Sequence, residues 1–147
     1  LGTKLRATWA GNMKGQGRIE AESLASVIAI PHELGGTGQG TDPKALLVSS
    51  AATCYLMTLV AILQNRKLPV DGLTLESEAS DPKEAGFTIG HQITVNLLPE
   101  ATQEQVDAAG SALQQADKAC FIGNLLKKAD ILISVEGSVS VAESAET

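Results

Sequence analysis

The chain has 147 residues, one domain's worth at the usual ~100–200 residues per domain, and long enough to bury a core without a metal or a disulfide. Apolar residues at 44% and charged residues at 19% exclude a disordered chain. A net charge of -6 lacks the basic face that nucleic acid demands, and two cysteines are too few for a disulfide scaffold. Aromatics at 3% leave the core to Leu, Ile, Val and Ala.

Leu1 to Thr8 carries Lys4 and Arg6 and no apolar run. No export signal is legible there, so a cytoplasmic setting with reduced thiols is expected. Leu5, Ala7 and Trp9 alternate with Arg6 and Thr8, which predicts a half-buried strand. Turn residues follow at Gly11-Asn12 and Gly15-Gln16-Gly17, then an alternating run around Ile19 and Ala21, then a third strand over Ser26–Ile30. Together they read as an antiparallel meander.

Pro31 to Gly40 is a glycine-rich loop, read as a flexible segment that passes close to something. Asp42 as cap and Pro43 at the first helical position open a helix to about Asn65, stopped by Arg66, Lys67 and Pro69. Ala45 to Leu63 carries no charge. Its length suits a membrane span, but a helix apolar all round is also what a buried central helix looks like, and that second reading is preferred.

Val70–Ser80 and Phe87–Leu97 read as strands of one hairpin around a turn at Asp81–Gly86. In the second, Phe87, Ile89, His91, Ile93, Val95 and Leu97 share a face. Thr102 and Gln105 form a capping box for an amphipathic helix whose stripe (Val106, Ala109, Leu113, Ala116) ends at Cys120. A break near Gly123 separates a short helix ending at Lys127-Lys128. Ile131, Ile133 and Val135 begin a last strand, and a polar tail from Ala142 frays. The expectation is a single α+β domain over residues 1–147, of about six strands and three helices.

Most familiar chemistry fails on residue type. His32 and His91 have no metal-spaced partner, and His91, on an apolar strand face, reads as a core histidine with one satisfied nitrogen. Gly35 and Gly40 have P-loop spacing, but Thr41 and Asp42 stand where Lys should follow, and a carboxylate at a helix N-terminus repels phosphate. No GxSxG elbow exists for a serine hydrolase. That leaves the thiols. Free Cys is often a small buried hydrophobe, and burial raises its pKa. A working Cys54 needs a nearby cation or helix N-terminus, and mid-helix the dipole cannot serve it alone, while Cys120 lies where two helical segments meet.

The ordered motifs resemble the osmotically inducible protein C / organic hydroperoxide resistance (OsmC/Ohr) family along nearly the whole chain. They are Ala7-Thr8-Trp9-Ala10-Gly11, then Gly40-Thr41-Asp42-Pro43 leading to Ala51-Ala52-Thr53-Cys54, then Ala85-Gly86-Phe87, and Ala119-Cys120 leading into Asn124-Leu125-Leu126. The resemblance implies an α+β, OsmC-like fold, with antiparallel sheets packed around a long central helix in an intertwined homodimer. It implies a cofactor-free thiol peroxidase that reduces organic hydroperoxides. By position, Cys54 is then the peroxidatic thiolate and Cys120 the resolving thiol, reset by a dithiol reductant such as a lipoyl protein or another thiol donor.

The chain departs from the family pattern at Lys44, where the family commonly has a Glu that orients an Arg. No clear match for that Arg exists, so Lys44 and Arg18 are the candidate thiolate-stabilising cations. Phe121 and Gly123 replace the family's frequent Pro and Ser. The alternative is a non-catalytic protein on the same fold, holding a small hydrophobic ligand in an apolar pocket beside Cys54.

Overall fold

Backbone turns and alternation do most of the work in this chain, and the computed structural model describes residues 2–81 and 86–143. Among them, six strands and three α-helices run in the order β1 (Arg6–Ala10), β2 (Gln16–Ala21), β3 (Leu24–Ile28), α1 (Pro43–Asn65), β4 (Val70–Ser80), β5 (Thr88–Leu97), α2 (Gln103–Ala119), α3 (Phe121–Lys128) and β6 (Leu132–Val141). A 3-10 turn occupies His32–Leu34. The chain divides into two units, Leu1–Leu47 and Val48–Thr147, each described by itself.

In the first unit β1, β2 and β3 form the expected antiparallel meander, with Trp9 opposite Gly17 and Ile19 opposite Ser26. β2 alternates, burying Gly17 and Ile19. β1 does not, because all five of its residues are exposed. It is an edge strand of the meander, as β3 is, and neither of its faces has the cover that its alternation anticipates. The glycine loop is pinned rather than loose. Gly38 N–H donates to Ile30 O at 3.0 Å, Thr41 N–H to Val27 O at 2.9 Å, and Ala29 N–H to Thr41 O at 3.2 Å. A Cβ on Gly36 would lie 2.0 Å from Ile30 O, so the loop does pass close to something, and that something is the backbone at the end of β3.

α1 starts as its sequence directs, with Asp42 Oδ1 accepting from Ala45 N–H at 2.9 Å. Its buried residues are Ala51, Tyr55, Leu59 and Leu63, one stripe at a spacing of four. Only that stripe meets the expectation of a buried helix. Met57 is 71% exposed, Val60 is exposed too, and 22% of the most apolar stretch is buried within the chain. By length and composition alone α1 could cross a membrane.

In the second unit β4 and β5 pair antiparallel from Ser80 opposite Thr88 to Val70 opposite Leu97, as expected of the hairpin. The turn and the Ala85 of the motif fall on residues 82–85, outside the described residues, as do residues 144–147 of the tail expected to fray. One expectation is corrected. β6 lies parallel to β5, Thr88 opposite Leu132 and Leu97 opposite Val141, so this sheet is mixed and not antiparallel. The crossover through α2 and α3 returns the chain to the end where β5 began, which makes a parallel pair. β6 also runs on to Val141, well beyond Val135.

The capping box of α2 is present: Gln105 N–H donates to Thr102 Oγ1 at 3.2 Å and Thr102 N–H to Gln105 Oε1 at 2.9 Å. Its buried stripe of Ala109, Ala112, Leu113 and Ala116 packs with Tyr55, Leu59 and Leu63 of α1 and Ile93, Val95 and Leu97 of β5. Tyr55 Oη donates to Leu113 O at 2.9 Å, and Arg66 ties the end of α1 to α2 through Ala108 O, Ser111 Oγ and Gln115 Oε1. The helix break falls at Cys120 itself, not near Gly123, which lies inside α3.

Gly137 is a close approach in the β5–β6 pair. A Cβ there would lie 2.4 Å from Ile93 Cγ2 and 2.6 Å from Ile93 O. Gly137→Ala is therefore expected to destabilise the fold by about 1–3 kcal/mol, the usual cost of overpacking, measured by denaturant unfolding.

Candidate active site

Cys54 and Cys120 meet in the second unit, although they stand far apart in sequence. Cys54 sits midway along α1, facing the α2–α3 junction, and is partly buried. Cys120 is 3% exposed and occupies the junction with an extended backbone, φ -70° and ψ 114°. It thus ends α2 and caps α3, and Gly123 N–H donates to its sulfur at 3.4 Å. Gly123 permits this approach, since a Cβ there would lie 3.3 Å from Cys120 Sγ.

The first N–H groups of a helix have no partner inside the helix, and together they form its positive end. At α3 one of them is spent on Cys54: Ile122 N–H donates to Cys54 Sγ at 3.5 Å. Burial alone pushes the Cys54 thiol up. The Ile122 N–H, the Cys120 thiol, the Phe121 N–H and the Thr58 hydroxyl act against it and bring Cys54 below the ordinary thiol value. Cys120 moves the other way. Burial pushes it up to about 11; Gly123 N–H opposes this, while its hydrogen bond to Cys54 and the charges of Cys54 and Asp117 add to it. The two thiols are therefore shifted in opposite directions, Cys54 downward by its donors and Cys120 upward by burial. Thr58 Oγ1 also donates to Cys54 O at 2.7 Å, so its single proton serves the carbonyl or the sulfur, one at a time.

The sequence-derived cations stand in the first unit. Arg18 is exposed on β2, its Nε 3.2 Å from Glu20 Oε1. Lys44 is exposed in the first turn of α1. Within the second unit the groups that favour the Cys54 anion are all hydrogen-bond donors. The reading of the sequence passed over the N-terminus of α3, because backbone N–H groups carry no residue signature. It also passed over Thr58, whose one signal is its position one turn after Cys54 on the same face.

His91 is the core histidine expected. It is 3% exposed, its Nδ1 lies 2.7 Å from Ser77 Oγ, and its ring stacks on Tyr55 at 5.1 Å. Burial lowers its pKa, with Asp117 acting weakly against this. No cluster of three or more His, Cys, Asp or Glu suited to a metal occurs among the described residues. The first unit holds an apolar cavity of about 340 Å³ lined by residues that include Trp9, Ile19, Ile28, Pro31 and Leu46.

The sign of the pH dependence follows from these environments. Cys54 loses its proton as pH rises, so its alkylation rate climbs, and it reaches its plateau at a lower pH than it would without these donors. Cys120 is expected to react only near its value of about 11. Thr58→Val, which removes one donor and keeps the shape, moves the Cys54 midpoint upward. Iodoacetamide labelling followed by mass spectrometry of each cysteine measures both.

The sequence family described as "OsmC-like protein" matches residues 36–136. An uncharacterized protein of Bacillus subtilis, YmaD, is 35% identical over 141 residues, covering 93% of each chain. An organic hydroperoxide resistance protein of Xanthomonas axonopodis pv. citri is 31% identical over 67 residues, covering 45% of this chain and 47% of its own. Among solved structures, an organic hydroperoxide resistance protein OsmC from Legionella pneumophila superposes with a TM-score of 0.61 at 23% identity, over 93% of this chain and 96% of its own. The family match over residues 36–136 and these similarities lead to one statement: the chain belongs to the family of OsmC-like proteins.

Proposed function

We propose that this protein is a thiol peroxidase that reduces organic hydroperoxides to alcohols. The observation that carries the reading is the Cys54 sulfur held at the N-terminus of α3 beside Cys120. The thiolate attacks the terminal peroxide oxygen, the O–O bond breaks, and the alkoxide leaves and takes a proton to become alcohol. Cys54 is then a sulfenic acid. The Cys120 sulfur attacks it, an S–S bond forms, the S–O bond breaks, and hydroxide leaves with the Cys120 proton as water. A dithiol reductant, such as a lipoyl protein or another thiol donor, reopens the disulfide and is itself oxidised. The reaction needs no cofactor, and it suits a cytoplasmic setting where thiols are kept reduced.

The same reading takes the whole chain as a single OsmC-like domain that works as a homodimer, with a second copy covering the exposed apolar side of α1 around Met57 and Val60. Organic hydroperoxide resistance is named for relatives and structural neighbours of this chain, which supports the substrate class. The reading requires no part of Lys44 or Arg18, since the thiolate has its donors within the second unit.

Consumption of cumene hydroperoxide in the presence of a dithiol tests the proposal. Cys54→Ser is expected to abolish it, and unchanged turnover in that variant ends the reading. Cys120→Ser is expected to accumulate a Cys54 sulfenic acid that a dimedone probe traps. Lys44→Met and Arg18→Met each slow the reaction by no more than about fivefold, the weight of an exposed charge. Sedimentation equilibrium is expected to give twice the monomer mass.

A further inference from the structure

Cys120 ends α2 without the left-handed residue that usually closes a helix, so the last carbonyls of α2 need other partners. They find them on α3. Lys127 Nζ donates to Asp117 O at 3.4 Å, and Asn124 Nδ2 donates to Lys118 O at 2.9 Å. Lys127 Nζ also lies 3.1 Å from Asp117 Oδ1, with the two side chains 32% and 18% exposed. One lysine therefore holds both the carbonyl and the carboxylate of the same residue. This fixes the last turn of α2 against the last turn of α3, and so fixes the direction in which the first N–H groups of α3 point.

Asp117 and Cys120 stand three residues apart at the end of α2, on the same side. Lys118 follows Asp117 directly and Lys127 is paired with it, and the groups besides Cys120 that sense the Asp117 charge are Tyr55 and His91. Burial pushes Tyr55 of α1 up and His91 of β5 down, so both are neutral. Asp117 is thus the fixed negative charge beside the thiol pair, and Lys127 of α3 is its counter-charge.

We propose that the Asp117–Lys127 ion pair is a positioning device that assigns the donor role to Cys120 and the acceptor role to Cys54. Burial is the chief cause that keeps the proton on Cys120, and the Asp117 carboxylate at the same helix end adds to it by disfavouring a second anion. Lys127 moderates that field and holds the α2–α3 angle. The assignment matters for catalysis only if the thiol-peroxidase reading holds, because that chemistry needs one nucleophilic sulfur and one sulfur in reserve.

The test compares Asp117→Asn and Lys127→Met with the unaltered protein. Each cysteine's alkylation by iodoacetamide is followed separately across the range of thiol ionisation, with circular dichroism reporting folding. Asp117→Asn removes the negative charge and leaves Lys127. The Cys120 midpoint is expected to fall, and the preference for labelling Cys54 to drop by about threefold or more. Lys127→Met leaves Asp117 uncompensated, and the Cys120 midpoint is expected to rise. A clamp with no electrostatic part would move both variants the same way, so shifts of one sign, or no shift in either, overturn the proposal. Should Asp117→Asn not fold, Lys127→Met decides alone, an upward shift supporting the proposal and any other result ending it. The labelling uses no peroxide. A protein that shows the opposite shifts but consumes no cumene hydroperoxide thus loses the peroxidase reading and keeps this one.

Discussion

The contact between the N-terminus of α3 and the sulfur of Cys54 is what the rest of the second unit is arranged around. A partly buried thiolate is costly, since burial favours the neutral form. Hydrogen bonds from Ile122, Phe121, Cys120 and Thr58 offset that cost. Two of those donors are backbone N–H groups of one helix end, which the helix cannot use internally and which carry its positive pole. An anion at that point satisfies both sides, as the helix end gains an acceptor and the sulfur gains donors.

That contact depends on two structural duties of Cys120. Its extended backbone stops α2, and its sulfur takes the Gly123 N–H as a cap for α3. The helix thereby starts where it faces α1. The capping box that opens α2, the buried alanine stripe along it and the Tyr55 hydrogen bond to Leu113 O keep α2 in place against α1. Tyr55 follows Cys54 directly, so the hydrogen bond that docks α1 on α2 also fixes the azimuth of the cysteine. The mixed sheet supports the same end, because parallel β6 follows α3 and its Gly137 lets the strand lie close on Ile93.

Much of this was readable along the chain. Alternation placed β2, β4 and β5, the Asp42-Pro43 start and the Arg66-to-Pro69 stop bounded α1, and Thr102 with Gln105 announced α2, because each signal acts within one or two turns of its own residues. The roles of Cys54 and Cys120 were approached by eliminating other chemistries and by likeness to a family. The exposed β1, the pinned glycine loop and the helix break at Cys120 were read imperfectly. Each turns on what lies across from the residue, and alternation or glycine content says nothing of that.

By itself, then, the sequence determined the kinds of element, most of their ends, the buried stripe of α2 and the small set of residues able to do chemistry. Local hydrogen bonding and side-chain periodicity suffice for those. Only the tertiary structure decided that β6 runs parallel to β5, that the helix positive pole serving Cys54 belongs to α3 and not to its own helix, and that Asp117 and Lys127 meet beside the second thiol. Those are through-space relations between segments distant in the chain. Electrostatics and hydrogen bonding depend on separation in space, which no spacing along the sequence specifies.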